Sequence, residues 1–253
     1  MPRLSKFSLE CPYLPDTFLS TAVTSSSSCQ IQDLHLIFKS IQDDSQYHSS
    51  TGNDFAKWVL TMPRLSKFSL ECPYLPDTFL STAVTSSSSC QIQDLNLIVK
   101  GSNQDDSQYQ SSTGKDFAKW VFTMPRLSKF SLKCEYLSHN FLSTAATYAS
   151  SCLISELSLE RSNTCYGFIS ESGATNLAEF LCRLPNLTRA ELNLVVLPEI
   201  FFTTISSQAS RCKVECITIN GKPLRSFQSG NQLGIQTPSD DSSSEDDSSQ
   251  ETD

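Results

Sequence analysis

The chain has 253 residues, a net charge of −8 and a pI near 4.9. Seven of its acids crowd into Pro238–Asp253 without one base, so the rest is close to neutral and offers no basic footprint for nucleic acid. No run of about 18 apolar residues argues for a membrane span. Met1–Lys6 has no apolar signal core, so the cytosol is the expected setting, with the ten cysteines kept as thiols.

Leu4, Phe7 and Leu9 stand at relative positions 1, 4 and 6, and the last two alternate as a short strand requires. Phe18, Leu19, Ala22 and Val23 then form a helical stripe behind Asp16, the expected N-cap. Ile31, Leu34 and Leu36 repeat the strand spacing. The polar stretch Lys39–Ser50 predicts a solvated loop. Phe55, Trp58, Val59 and Met62 predict a second helix after Thr51–Gly52, ended by Pro63.

Residues 1–34 then recur unchanged as 62–95, and again with changes as 124–159. The succession therefore continues with strands at Leu65/Phe68/Leu70, Ile92/Leu95/Leu97, Leu127/Phe130/Leu132 and Ile154/Leu157/Leu159. Leu187/Ala190/Leu192 and Val214/Ile217/Ile219 complete eight strands. Helices are expected over 76–87, 114–124, 138–149, 173–184 and 197–209. Further loops are expected at Lys100–Ser112 and Arg161–Ser172, leaving from the same edge as the first.

Successive strands begin 27, 34, 27, 35, 27, 33 and 27 residues apart. The short spacing lies in the range of leucine-rich repeats, and the long one is the same unit with an insertion. A lone strand–helix unit cannot bury its apolar face, whereas stacked units bury a continuous core. The expected fold is an α/β leucine-rich-repeat solenoid, a curved parallel sheet with outer helices, over residues 1–227. Residues 228–253 are expected to be a disordered acidic tail. Met1–Leu4 matches Met62–Leu65, which follows a helix, so the array is expected to be uncapped at its start. A longer protein, or a partner covering that end, would account for this.

The segments Asp54–Leu70, 116–132 and Asn176–Leu192 share one form: helix, then Pro, then Leu-x-x-Phe/Ala-x-Leu. This form resembles ribonuclease-inhibitor-type repeats, especially the arrays of NOD-like (NACHT-containing) innate immune receptors, and most of all the expanded receptor sets of invertebrate deuterostomes. The resemblance implies a cytoplasmic ligand-sensing or autoinhibitory repeat region, without enzymatic activity or cofactor. A stand-alone inhibitor or adaptor like ribonuclease inhibitor is the alternative, and an enzyme is a distant third. The chain departs from the pattern at the ninth repeat position. Pro12, Lys39, Pro73, Lys100, Glu135, Ser162, Val195 and Lys222 replace the usual Asn or Cys, and Cys11, Cys72 and Cys134 stand one place early. No nucleotide-binding module is present.

The third position of each strand carries Lys6, Asp33, Lys67, Asp94, Lys129, Glu156 and Arg189. In this repeat class it faces the concave surface, and strands about 4.8 Å apart place each base beside an acid. Such a ladder either neutralises itself or forms a mixed-charge strip that receives a protein partner. His35, Asn96 and Glu191 flank it among small residues. Tyr47, Tyr109 and Tyr166 stand in the insertions as loop contact candidates. In the tail, Ser242, Ser243, Ser244 and Ser248 precede acids and are candidates for phosphorylation.

Cys29, Cys90, Cys152 and Cys212 keep repeat register. Equivalent residues two strands apart lie roughly 10 Å from one another, too far for a disulfide or a shared zinc ion. They are expected to be small buried hydrophobes, and no metal site is expected. Trp58, Trp120 and their counterpart Phe180 are expected in the core.

Overall fold

A computed structural model describes residues 4–12, 14–39, 49–100, 113–135, 137–161, 169–194 and 196–224. The strands are β1 Lys6–Cys11, β2 Asp33–Phe38, β3 Lys67–Cys72, β4 Asp94–Val99, β5 Lys129–Cys134, β6 Glu156–Arg161, β7 Arg189–Asn193, β8 Cys216–Ile219 and β9 Lys222–Pro223. The helices are α1 Asp16–Ser25, α2 Ser49–Thr61, α3 Asp77–Ser86, α4 Thr113–Phe122, α5 His139–Tyr148, α6 Glu171–Arg183 and α7 Glu199–Ser207. The strands form one sheet in chain order, with β1 to β8 parallel. Each helix packs on the next, giving a second layer. This is an α/β solenoid of the leucine-rich-repeat kind.

Strand alternation puts the core on one side of the sheet. Leu34, Leu36 and Phe38 of β2 are buried while Asp33, His35 and Ile37 are partly open, and β3 and β5 follow the same rule. Aromatic rings join the helices behind the sheet. Phe55 meets Phe79 at 5.1 Å, Phe79 meets Trp120 edge-on at 5.2 Å, and Phe122 meets Phe180 at 4.9 Å between centroids. Trp120 and Phe180 are wholly enclosed and Trp58 is 5% exposed, as expected of core residues.

Strand entry is held by a backbone ladder that the side-chain pattern does not announce. The carbonyl of Ser5 accepts the N–H groups of Gln32 and Asp33, and Gln32 accepts those of Ser66 and Lys67. The same double bond recurs at Ser66, Gln93, Ser128, Ser155 and Thr188. The hydroxyls of Ser66, Ser128, Ser155 and Thr188 donate to the same carbonyls. Strand exit differs from the asparagine pattern. Cys72 and Cys134 are buried there, and Lys100 N–H donates to the Cys72 carbonyl at 3.0 Å. The Lys100 ammonium also pairs with Glu71 at 2.5 Å, and Lys39 pairs with Glu10 in the same way.

Several boundaries move. Pro15, not Asp16, occupies the N-cap of α1, because its φ of −63° and ψ of 143° suit the residue before a helix. Asp16 is the first helical residue, and its carboxylate accepts from the Thr51 hydroxyl of α2. α2 and α6 start earlier than expected, so Ser49, Ser50, Glu171 and Ser172 belong to helices rather than to loops. For α6 the reason is Ser170, whose hydroxyl caps the helix by accepting from Gly173 N–H at 3.1 Å.

A ninth strand adds to the expected eight. Asn220 and Gly221, at φ 49° and 75°, make a tight hairpin that folds β9 back antiparallel on β8. Residues 225–253, and with them the tail and Ser242, Ser243, Ser244 and Ser248, lie outside the described residues. So do Tyr47, Tyr109 and Tyr166.

Candidate functional site on the open face of the sheet

Third-position side chains emerge from the sheet face opposite the helices, because their neighbours at the second-next and fourth-next positions alternate with core residues. Register brings all seven into one row: Lys6 beside Asp33, then Lys67, Asp94, Lys129, Glu156 and Arg189. The row closes into pairs rather than into an even ladder. Lys6 meets Asp33 at 3.7 Å, Lys67 meets Asp94 at 3.8 Å and Lys129 meets Glu156 at 2.6 Å. Hydrogen bonding to Glu156, then its charge, raises the Lys129 pKa. All six side chains are at least one-third exposed, so solvent screens each pair and the row adds little to stability.

Three acids thus take three lysines, and Arg189 remains. Its strand neighbours in register are Glu156, already paired, and Cys216, which is exposed and carries no formal partner charge. Among the described residues no ion pair engages the Arg189 guanidinium, and the residue is exposed. Two positions along the same strand, Glu191 accepts from the Asn193 amide at 3.1 Å.

A shallow depression of about 270 Å³ opens where this row crosses β4 to β7. Lys129, Glu156, Arg189 and Glu191 give it a charged rim, Ser131 and Ser158 give it width, and Phe130 and Leu157 reach its floor. The widening has a side-chain cause. At the fifth strand position β2 and β4 carry His35 and Asn96, and the Asn96 amide reaches across to donate to the Ser69 hydroxyl at 3.1 Å. At that position β5 and β6 carry Ser131 and Ser158 opposite each other.

Lys129, Glu156, Arg189, Glu191 and Asp94 are therefore brought together, whereas Lys6, Asp33, His35 and Lys67 lie further along the face. Asn96 sits on β4 beside Ser131. The floor residues Phe130 and Leu157 read in the sequence only as core. The pair of serines at 131 and 158 was the available signal for an opening above them.

The cysteines also take definite places. Cys90 and Cys152 are buried, and burial raises their pKa values to about 11 and about 12. Cys29 and Cys212 are half-buried. Among the described residues no group of three or more His, Cys, Asp and Glu side chains is arranged to hold a metal ion. No described helix is long and apolar enough to cross a membrane.

No family model matches the sequence, and no curated protein does. Among solved structures, the chain is similar to the leucine-rich repeat-containing protein LegL7 from Legionella pneumophila. The two share 15% identity over 83% of this chain and 73% of that one, with a TM-score of 0.35. The repeat architecture stands on the strand order, register and helix layer described above.

Proposed function

We propose that the chain is a protein-interaction module whose open sheet face, over β4 to β7, receives a charged segment of a protein partner. The carrying observation is Arg189, without an ion-pair partner among the described residues, at the end of a row whose other six charges neutralise one another. A carboxylate of the partner pairs with Arg189, while Glu191 selects a neighbouring cation. The three closed pairs keep the rest of the face neutral, and complementary charge of this kind fixes register and partner choice.

The finer reading is the ligand-sensing or autoinhibitory repeat region of a cytoplasmic NOD-like receptor. It is supported by the helix-Pro-Leu-x-x-Phe/Ala-x-Leu form of 54–70, 116–132 and 176–192. In this role the array has no catalytic task. The test is affinity capture with the immobilised chain, run beside the charge reversals Arg189→Glu and Glu191→Lys. Lys57→Glu, on an exposed helix position, serves as the control. A true partner loses about tenfold or more in affinity to each sheet-face reversal and is indifferent to the helix-face one. A partner released by Lys57→Glu but retained by both sheet-face variants would place binding on the helices and overturn the proposal.

A further inference from the structure

β1 lies at one end of the sheet, and among the described residues it pairs only with β2. The molecule carries its own reference for what this edge lacks, because β3 has the sequence of β1 and a strand on either side. Leu65, Phe68, Leu70 and Phe79 are buried there, whereas Leu4 and Phe18 are exposed and Phe7 and Leu9 are only half-buried. This end of the array thus sets apolar side chains beside a strand edge, a surface suited to adding another strand.

The ladder decides which backbone groups the edge offers. The Ser5 carbonyl accepts Asp33 N–H, and the Cys11 carbonyl accepts Lys39 N–H. In a parallel pair these bonds turn the odd-numbered residues of β1 toward β2, so the N–H and C=O groups of Lys6, Ser8 and Glu10 point away from it. In β3 the counterpart of Lys6 shows the same direction, since Lys67 N–H donates to the Gln32 carbonyl of the strand before it.

We infer that this edge joins two copies of the chain across a two-fold axis, with β1 running antiparallel to β1 of the second copy about Ser8. The strand is self-complementary in that register. Ser8 meets Ser8 of the second copy, Lys6 meets its Glu10, and Phe7 meets its Leu9 on the core side. The outward groups of Lys6, Ser8 and Glu10 then bond one another as antiparallel pairs. Side-chain charge selects this register. Centring the pair on Phe7 sets Glu10 opposite Leu4, and centring it on Leu9 sets Lys6 opposite Pro12. Only Ser8 at the centre matches both charges. Lys6 keeps Asp33 and Glu10 keeps Lys39 on their other sides, so the signs alternate across the axis. Behind the sheet, the exposed Leu4 and Phe18 lie on the side that the second copy covers.

The experiment measures the mass of the full chain in solution by light scattering across micromolar concentrations. The expected particle has twice the chain mass of 28.0 kDa. Lys6→Glu and Glu10→Lys each set like charges opposite one another and should weaken the dimer about tenfold or more. Mixed together, the two variants oppose Glu to Lys at both contacts and should associate again. Ser8→Pro removes an N–H that points off the edge, where proline is tolerated, and should give a single chain that is still folded by circular dichroism. Lys67→Glu makes the same change in the same local sequence inside the sheet and should leave the dimer intact. A wild-type chain that stays single overturns the inference, and so does one whose edge is covered by a different protein instead. A dimer that survives Ser8→Pro, or that the mixed charge variants fail to re-form, overturns it as well. None of these variants alters Arg189 or Glu191, so the outcome is independent of partner binding over β4 to β7.

Discussion

Residues 4–34 and 65–95 have the same side chains in the same order, yet they live in different surroundings. Leu4 is 60% exposed and Leu65 1%; Phe18 is 39% exposed and Phe79 is fully enclosed. The secondary structure is unaffected, since β1 and β3 and then α1 and α3 have matching bounds. What changes is the neighbour. The second copy lies against β2 and α2 on one side and β4 and α4 on the other. Among the described residues, the first copy has partners only on its β2 side. In a stacked array the local sequence sets the fold of a unit, and the adjoining unit sets how much of its apolar surface leaves water. Each fully buried Leu or Phe is worth about 1.5–3 kcal/mol over its exposed form, so the two identical segments contribute unequally to stability.

The sharpest way to break this contrast is to make the same truncation in both copies. Phe79→Ala removes a ring packed between Phe55 and Trp120 and should cost about 3–5 kcal/mol in urea unfolding. Phe18→Ala loses chiefly an edge contact with Trp58 at 5.5 Å and should cost about 1 kcal/mol. Equal losses would mean that burial in the stack is not what separates the copies. A smaller effect is expected where one helix approaches the next. A Cβ on Gly114 would stand 2.4 Å from the Ser138 hydroxyl, which caps α5 by accepting from Phe141 N–H at 3.1 Å. Gly114→Ala should therefore lose about 1–2 kcal/mol despite the better helix propensity of alanine. A stability gain in thermal unfolding would show that the cap simply swings aside.

Much of this architecture was legible because side-chain periodicity and repeat length are properties of the chain alone. Strand positions such as Leu34 and Leu36, the core role of Trp120 and the alternating charges from Lys6 to Arg189 could all be read from spacing. The pairing within that row could not. It depends on which lysine reaches which acid across the sheet, and only the register and side-chain reach leave Arg189 over. The depression over Phe130 and Leu157 was hidden for a similar reason, since an opening is made by what Ser131 and Ser158 do not fill. The β9 hairpin was in plain view as Asn220-Gly221, a turn pair whose meaning is local and needed no tertiary information.

The two copies also predict different responses to alkali. Cys72 is enclosed, and burial, with the nearby Glu71 charge, raises its pKa to about 12; burial raises that of its counterpart Cys11 as well, but Cys11 is half-open. A thiol held neutral in the fold and free to ionise when unfolded gives stability that is whole below pH 9 and falls as pH rises toward 12. For Cys72 the loss should be about 1 kcal/mol by pH 10. Urea midpoints at pH 8 and pH 10 should converge in Cys72→Val by that amount and change less in Cys11→Val, other titrating groups being common to both. The same convergence in the two variants would erase the distinction.

The smallest expected effect concerns Trp120, whose ring is fully enclosed between units while its Nε1–H is buried without a hydrogen-bond partner among the described residues. The indole donor gives up its bond to water on folding and gets none back, a cost of about 1–3 kcal/mol. Phenylalanine at the same repeat place, Phe180 in α6, fills its site and contacts Phe122 across the interface. Trp120→Phe therefore trades lost ring area against removal of an unpaired donor and should fall within about 1 kcal/mol of wild type. Truncation of the same side chain to alanine, which leaves the cavity unfilled, should cost about 3–5 kcal/mol. If the phenylalanine variant loses as much as the alanine one, the indole nitrogen contributes a bond in the folded chain and its burial is not a penalty.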